Sequence, residues 1–234
     1  MKKINKTFAV VLSVSLLLTF APLSALADPA VVAEGNLTDT VTWRVTDDGV
    51  LTIGGSGAIP NYSSFSTVAS YYQNAPYYAY ADQITSLVIE EGITSIGMCA
   101  FYLWRDLRGD LVIPDSVTRI NDSAFDSCGF DGHLTLGSEN SHLQLIDDHA
   151  FWRCGFTGDL IIPDSVSVIN FSAFNGCSGF NGTLSLGRGN SQLSKIDKTA
   201  FSGCSGFTGE LVIPDSVTWI GISAFSSCSG RLTS

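Results

Sequence analysis

Apolar and polar residues alternate over a few positions, turn, and then repeat that short pattern along most of the chain. In Glu210-Leu211-Val212-Ile213, Leu211 and Ile213 share one side and Glu210 and Val212 the other, which predicts a short strand with one side facing in. Pro214 has no N–H to donate and ends the strand, and Asp215-Ser216 opens a turn. Val217 and Ile220 then return to the core, followed on an opposite wall by Ala224 and Phe225. A glycine precedes each strand, at Gly109, Gly132, Gly158, Gly182 and Gly209, where a backbone corner of positive φ is expected.

The pattern is a repeat. Residues 156–179 and 207–230 are nearly the same text, looser copies start at Phe130 and Phe180, an earlier unit starts at Leu107 and a partial one at Ile84. The phenylalanine of the recurring Ala-Phe pair falls at 101, 125, 151, 174, 201 and 225, in steps of 24, 26, 23, 27 and 24 residues. Self-similarity at this period predicts a solenoid whose coils stack on their neighbours, with one main strand per coil and those strands paired in parallel on the concave face. Like residues then form columns: Phe101 through Phe225, and a second file of Leu107, Phe130, Phe156, Phe180 and Phe207. Both are expected inside.

Residues 28–83 do not carry the repeat. Val41 to Pro60 reads as two strands joined at Asp48-Gly49, and five tyrosines lie between Tyr71 and Tyr80. A solenoid's first coil has an open apolar edge, so this segment is expected to be a β-rich N-terminal cap with tyrosines over the first rung. Residues 84–234 form the solenoid in this reading, uncapped at the C-terminus. The far edge of its last rung, Leu211–Ile213, is expected to be unpaired and open to end-to-end association.

The first 27 residues read as a signal peptide. Lys2, Lys3 and Lys6 precede an apolar run from Phe8 to Phe20, and Ala25-Leu26-Ala27 is a small-x-small cleavage site. A run of thirteen residues is too short to span a bilayer comfortably, so export with cleavage after Ala27 is expected rather than membrane insertion. All 22 acidic residues follow Ala27 but only nine of the twelve basic ones do, a net charge of −13. Such a surface repels phosphate backbones and anionic lipid, which argues against nucleic acid and membrane partners.

Five of the six cysteines, Cys128, Cys154, Cys177, Cys204 and Cys228, each follow the Ala-Phe phenylalanine by three residues. They occupy one equivalent site per coil, and parallel Cβ vectors suit a disulfide poorly, so a stack of buried thiols is expected. Cys99 lies off the ladder. No Cys-x-x-Cys, His-Glu-x-x-His, Gly-x-Ser-x-Gly or phosphate loop occurs, and Asp47-Asp48-Gly49 lacks the further oxygen ligands of a calcium loop. Asp147-Asp148-His149 is the nearest thing to an acid–base group. Asp147 aligns with Asn121, Asn170 and Asp197, which points to a turn role. No catalytic residue, metal or cofactor is expected.

Binding is better supported. Outward strand positions form one column of Val88, Val112, Thr135, Ile161, Ser185 and Val212, and a neighbouring one that includes Asp110, His133, Asp159, Thr183 and Glu210. A β-branched stripe beside an acidic one suits a protein partner, and it also suits a solvated sheet of good β-propensity. Trp152 and Trp219 stand where other coils carry polar or small residues, so both are expected to project outward as anchors.

The phrase Leu-Val-Ile-Pro-Asp-Ser-Val-Thr-x-Ile, then Ala-Phe, two residues and Cys, resembles the Treponema-type leucine-rich repeat of BspA-like surface proteins. The resemblance covers about residues 41–230. It implies a right-handed solenoid with coils of 23–27 residues and a parallel sheet, a secreted or surface location, and a non-catalytic role in adhesion or protein binding, mostly in bacteria. The extracellular partner is not identified by it. Alternate units depart from the phrase: Leu136 to Ile146 and Leu186 to Ile196 carry larger turns in place of Ile-Pro-Asp-Ser-Val-Thr-x-Ile. A structural or self-assembling module is the alternative role.

Overall fold

A computed structural model describes residues 28–62, 75–228 and 231–233. The segment read above as a signal peptide, and Tyr71 and Tyr72, lie outside these. Strands β1 (Val31–Asn36), β2 (Val41–Thr46) and β3 (Val50–Gly55) form an antiparallel meander, with the predicted turn at Asp48-Gly49 between β2 and β3. β4 (Gly57–Ala58) and a 3-10 helix at Pro76–Gln83 follow. The coils then supply two strands each. One set is β5 (Ser86–Ile89), β7 (Leu111–Val112), β9 (Leu134–Thr135), β11 (Leu160–Ile161), β13 (Leu184–Ser185) and β15 (Thr208–Glu210). The other is β6 (Ile93–Ile96), β8 (Arg119–Ile120), β10 (Leu145–Ile146), β12 (Val168–Ile169), β14 (Lys195–Ile196) and β16 (Trp219–Ile220), and β17 (Arg231–Thr233) comes last. The architecture is a β-solenoid with a parallel sheet.

The longest sheet is not the one expected from the alternating strands. β16, β14, β12, β10, β8, β6 and β4 pair in parallel without a break, joining the segments that end in Ile96, Ile120, Ile146, Ile169, Ile196 and Ile220. The β5–β15 set pairs only in twos, β7 with β9 and β11 with β13. Two strands per coil therefore replace the single main strand expected. The meander joins the repeats directly, because β3 pairs in parallel with β5.

The interior is built of columns. Phe101, Phe125, Phe151, Phe174, Phe201 and Phe225 stack with ring centroids 5.2–5.3 Å apart and planes within 12°. Phe130, Phe156, Phe180 and Phe207 stack beside them at 5.1–6.2 Å. All but Phe225 are fully buried, and each such ring contributes about 1.5–3 kcal/mol of transfer free energy. Tyr77 extends the first column, lying on Phe101 at 5.9 Å and donating its hydroxyl to the Ala100 carbonyl at 3.1 Å. Trp43 and Trp104 pack against Tyr77, at 6.2 and 5.6 Å, so the aromatic cluster covers the first rung as expected.

The thiols are internal and reduced. Cys128, Cys154, Cys177, Cys204 and Cys228 are buried and unpaired with one another. The glycine expectation holds for three of the five positions. Gly109, Gly158 and Gly209 have φ of 74°, 77° and 85°. Gly132 and Gly182 do not; a Cβ there would instead run into the Asp110 and Asp159 carboxylates of the preceding coil, so close approach is what requires glycine.

Candidate functional site

In the short units, Leu111, Leu160 and Ile162 are buried while the residue between core positions points out. Val88, Val112, Ile161 and Val212 are accordingly 46, 56, 38 and 64% exposed, a high value for aligned apolar side chains. Between them stand Thr135, exposed, and Ser185, half-buried with its hydroxyl donating to the Gly187 carbonyl at 2.7 Å. Register fixes the neighbours: Val112 pairs with Thr135, and Ile161 with Ser185. The column drawn from the sequence is thus in register within each of these two pairs.

The acidic row beside it is equally ordered. Asp110 Oδ1 accepts the His133 N–H at 2.7 Å, and Asp159 Oδ1 accepts the Thr183 N–H and hydroxyl. These bonds hold both carboxyls below their ordinary range. A second acidic row lies past the prolines. Asp115 accepts from the Ser138 N–H and hydroxyl, both at 2.6 Å, and Asp164 accepts from the Arg188 and Asn190 N–H groups. Asp215 occupies the same position in the last short unit and is exposed. The stripe of Val112, Ile161 and Val212 is thus bordered by carboxylates on both sides.

These second-row bonds also account for the interrupted pairing. Asp115 and Asp164 tie each large turn back to the short unit before it, away from the short unit after it. β9 and β11 share only the bridge at His133 and Thr157, and a cleft of 280 Å³ opens there between Leu134 and Ile161. A larger cleft of 630 Å³ separates the β13 strand and its turn from Val212, Ile213 and Asp215. Ser216 registers the gap. Its counterparts donate to the preceding coil, Ser116 to Ile93 and Ser165 to Leu143, whereas the Ser216 hydroxyl has no partner among the described residues.

The tryptophans stand apart from this face. Trp219 is 58% exposed at the end of the seven-stranded sheet, where it pairs with Lys195. Trp152 does not project freely: it is half-buried, with the Arg153 guanidinium 4.2 Å over its ring and His149 edge-on at 6.0 Å. The expected free edge at Leu211–Ile213 is also different. The chain pairs one step earlier, where Thr208, Gly209 and Glu210 meet Arg231, Leu232 and Thr233. What the last coil leaves open is its stacking face, with Ile220 and Ile222 48 and 78% exposed.

The histidines serve turns. His149, at φ 52°, places Nδ1 3.8 Å from Asp122 Oδ1 and its ring against Phe171. The Asp122 carboxylate beside it pushes His149 up, and His149 in turn holds Asp122 down, while burial raises the nearby Asp126 carboxyl to about 6. Asp147 accepts from the Asn170 amide at 2.7 Å and the Asp148 N–H at 2.9 Å, in keeping with a turn role. Among the described residues no three His, Cys, Asp or Glu are grouped to hold a metal ion, and no helix is long and apolar enough to cross a membrane.

A family model for the BspA-type leucine-rich repeat region matches residues 72–181 and 144–234, in six copies. No curated protein matches. Among solved structures, the leucine-rich repeat protein of T. pallidum is similar, with a TM-score of 0.55 and 20% identity over 85% of this chain and 91% of that one. The pneumococcal vaccine antigen PcpA gives 0.51 and 17%, over 86% of this chain and 48% of its own. At these identities the likeness is one of fold.

Proposed function

The chain belongs to the BspA-type leucine-rich repeat family, and from that premise we propose that it is an exported, non-catalytic module that holds a protein partner outside the cell or at its surface. The observation that carries this reading is the outward column of Val88, Val112, Ile161 and Val212, aligned and exposed on one face. Good β-propensity accounts for β-branched residues on a strand, but the short units keep an apolar one at this position throughout while the large units carry Thr135 and Ser185. Fully hydrated apolar stripes of this kind gain free energy on being covered. Export is supported by Lys2, Lys3 and Lys6, the apolar run behind them and the Ala25-Leu26-Ala27 site.

The test is capture of secreted and surface proteins on immobilised chain, comparing wild type with Ile161→Asp and Val212→Asp. Both positions are exposed, so unchanged circular dichroism is expected with loss of the captured partner. Equal capture by all three would exclude this face, and Trp219→Ala run alongside reports on the end of the other sheet.

A second reading has its own observation. Ile220 is exposed where the equivalent isoleucines of earlier coils are fully buried, and Ile222, at a position that earlier coils fill with Asp122, Asp148, Phe171 and Lys198, is exposed beside it, so the last coil offers an apolar surface suited to self-assembly.

A further inference from the structure

Resting on the binding reading just given, we propose that the strand face takes a basic amphipathic α-helix laid along the solenoid axis. The recognition elements recur on every second coil, because short and large units alternate. Asp110 with Val112, Asp159 with Ile161, and Glu210 with Val212 are equivalent pairs, and each apolar member is exposed. Successive coils lie 5.2–5.3 Å apart along the phenylalanine column, so equivalent pairs two coils apart recur about every 10.5 Å there, and somewhat farther apart at this face, where β9 and β11 share a single bridge. An α-helix returns to the same side after seven residues, about 10.5 Å at its 1.5 Å rise. A β-strand returns every two residues, about 6.7 Å, and so misses the middle one of three such pairs.

The apolar stripe lies between the row of Asp110, Asp159 and Glu210 and the row of Asp115, Asp164 and Asp215. A helix about 10–12 Å across, its apolar side on the stripe, would put lysines of either flank over these rows, their methylene stems along the surface. A second copy of the chain would bring acidic rows onto acidic rows, and nucleic acid or anionic lipid would meet the same repulsion. Arg188 is the cation that lines the cleft beside Ile161, together with His133, and it opposes a basic ligand.

That opposition gives the test its sign. A labelled three-heptad peptide, with leucine at the two inner heptad positions and lysine at the flanking ones, is titrated with the chain by fluorescence anisotropy. Binding that weakens with added salt is expected, and Ile161→Asp should abolish it. Asp159→Asn, which keeps the acceptor for Thr183, should weaken binding about two- to five-fold, and Arg188→Ser should tighten it by a similar factor. Thermal unfolding checks that these variants remain folded. Equal binding of a scrambled peptide of the same composition, of its glutamate counterpart, or of a lysine-containing polyproline peptide overturns the helix. So does weaker binding to Arg188→Ser. If capture of secreted proteins stays sensitive to Ile161→Asp while no lysine helix binds, the face stands and the helical partner is wrong.

Discussion

Cys177 gives its thiol hydrogen to the carbonyl of Phe151, one coil earlier, at 2.9 Å. The same contact joins Cys128 to Phe101, Cys154 to Phe125, Cys204 to Phe174 and Cys228 to Phe201, at 2.9–3.1 Å. The cysteines thus link coils through weak donors, in a row where each also fills space against a phenylalanine column. Burial pushes the Cys128, Cys154 and Cys177 thiols well up, which suppresses the nucleophilic thiolate. Half-buried Cys99 is pushed up to about 11.

The native chain should therefore show almost no reaction with a thiol reagent at neutral pH, and all six cysteines should appear on unfolding. A reagent count with and without guanidinium checks this. Reaction of two or more ladder thiols in the folded chain, or a covalent dimer of them by mass, would contradict the ladder.

Truncating the phenylalanine column should cost unequal amounts along its length. Phe174 is fully buried between Phe151 and Phe201, at 5.2 and 5.3 Å. Phe174→Ala leaves a cavity and should cost about 3–5 kcal/mol. Phe225 has a ring on one side only and is half-buried, so Phe225→Ala should cost less than half as much. Chemical denaturation of both variants separates them, and equal losses would mean that the coils do not stack as independent layers.

These columns were legible because stacking forces the same residue to recur at the same place in each coil. Phe, Cys and the buried Leu and Ile of each strand have one environment and so one identity. The seven-stranded sheet was not legible. Its members in the repeats, such as Val168–Ile169, are mostly two residues long and show no alternation, and their pairing follows from the coil path. The split of the other sheet was hidden for a related reason: it depends on Asp115 and Asp164 reaching forward to the turn of the next coil, a contact between units. β1 was missed because Val31–Asn36 is exposed or half-buried throughout and carries no inward stripe. On the candidate face, the outward column could be drawn from strand period alone, whereas Arg153 covering Trp152 could not.

Stability should fall as pH rises from about 4 to above 6. Asp126 is buried, accepts the Ser127 hydroxyl at 2.7 Å, and has its carboxyl raised from 3.8 to about 6. Between those values the folded chain binds more protons than the unfolded one, so raising the pH removes stability and the loss is complete above 6. His149 acts in the same direction, since a histidine raised by Asp122 contributes below its unfolded pKa and loses that contribution as pH climbs through the folded one. Asp122 runs the other way and loses its contribution as pH falls through its lowered pKa. Asp126→Asn should flatten the decline and stabilise the chain at pH 8 by about 1–2 kcal/mol, a figure reduced for screening by water and Arg153. Melting temperature against pH for both proteins is the measurement. An unchanged slope in Asp126→Asn would show that this carboxyl is ionised throughout.

The exposed end of the array predicts association that depends on side chains rather than on a strand edge. Ile96, Ile120, Ile146, Ile169 and Ile196 are fully buried under the next coil, while Ile220 is 48% exposed and its neighbours Trp219 and Ile222 are 58 and 78% exposed. Thr208–Glu210 is already paired with Arg231–Thr233, and β16, which ends the seven-stranded sheet, offers an edge only two residues long, so the main drive is apolar. Sedimentation over a concentration series should show reversible self-association in the wild type, stronger at high salt, where repulsion between chains of charge −13 after Ala27 is screened. Ile222→Asp should shift the chain to monomer, and Ile161→Asp, on the other face, should not. Salt dependence decides the nature of the contact, because an association held by ion pairs would weaken as salt is added.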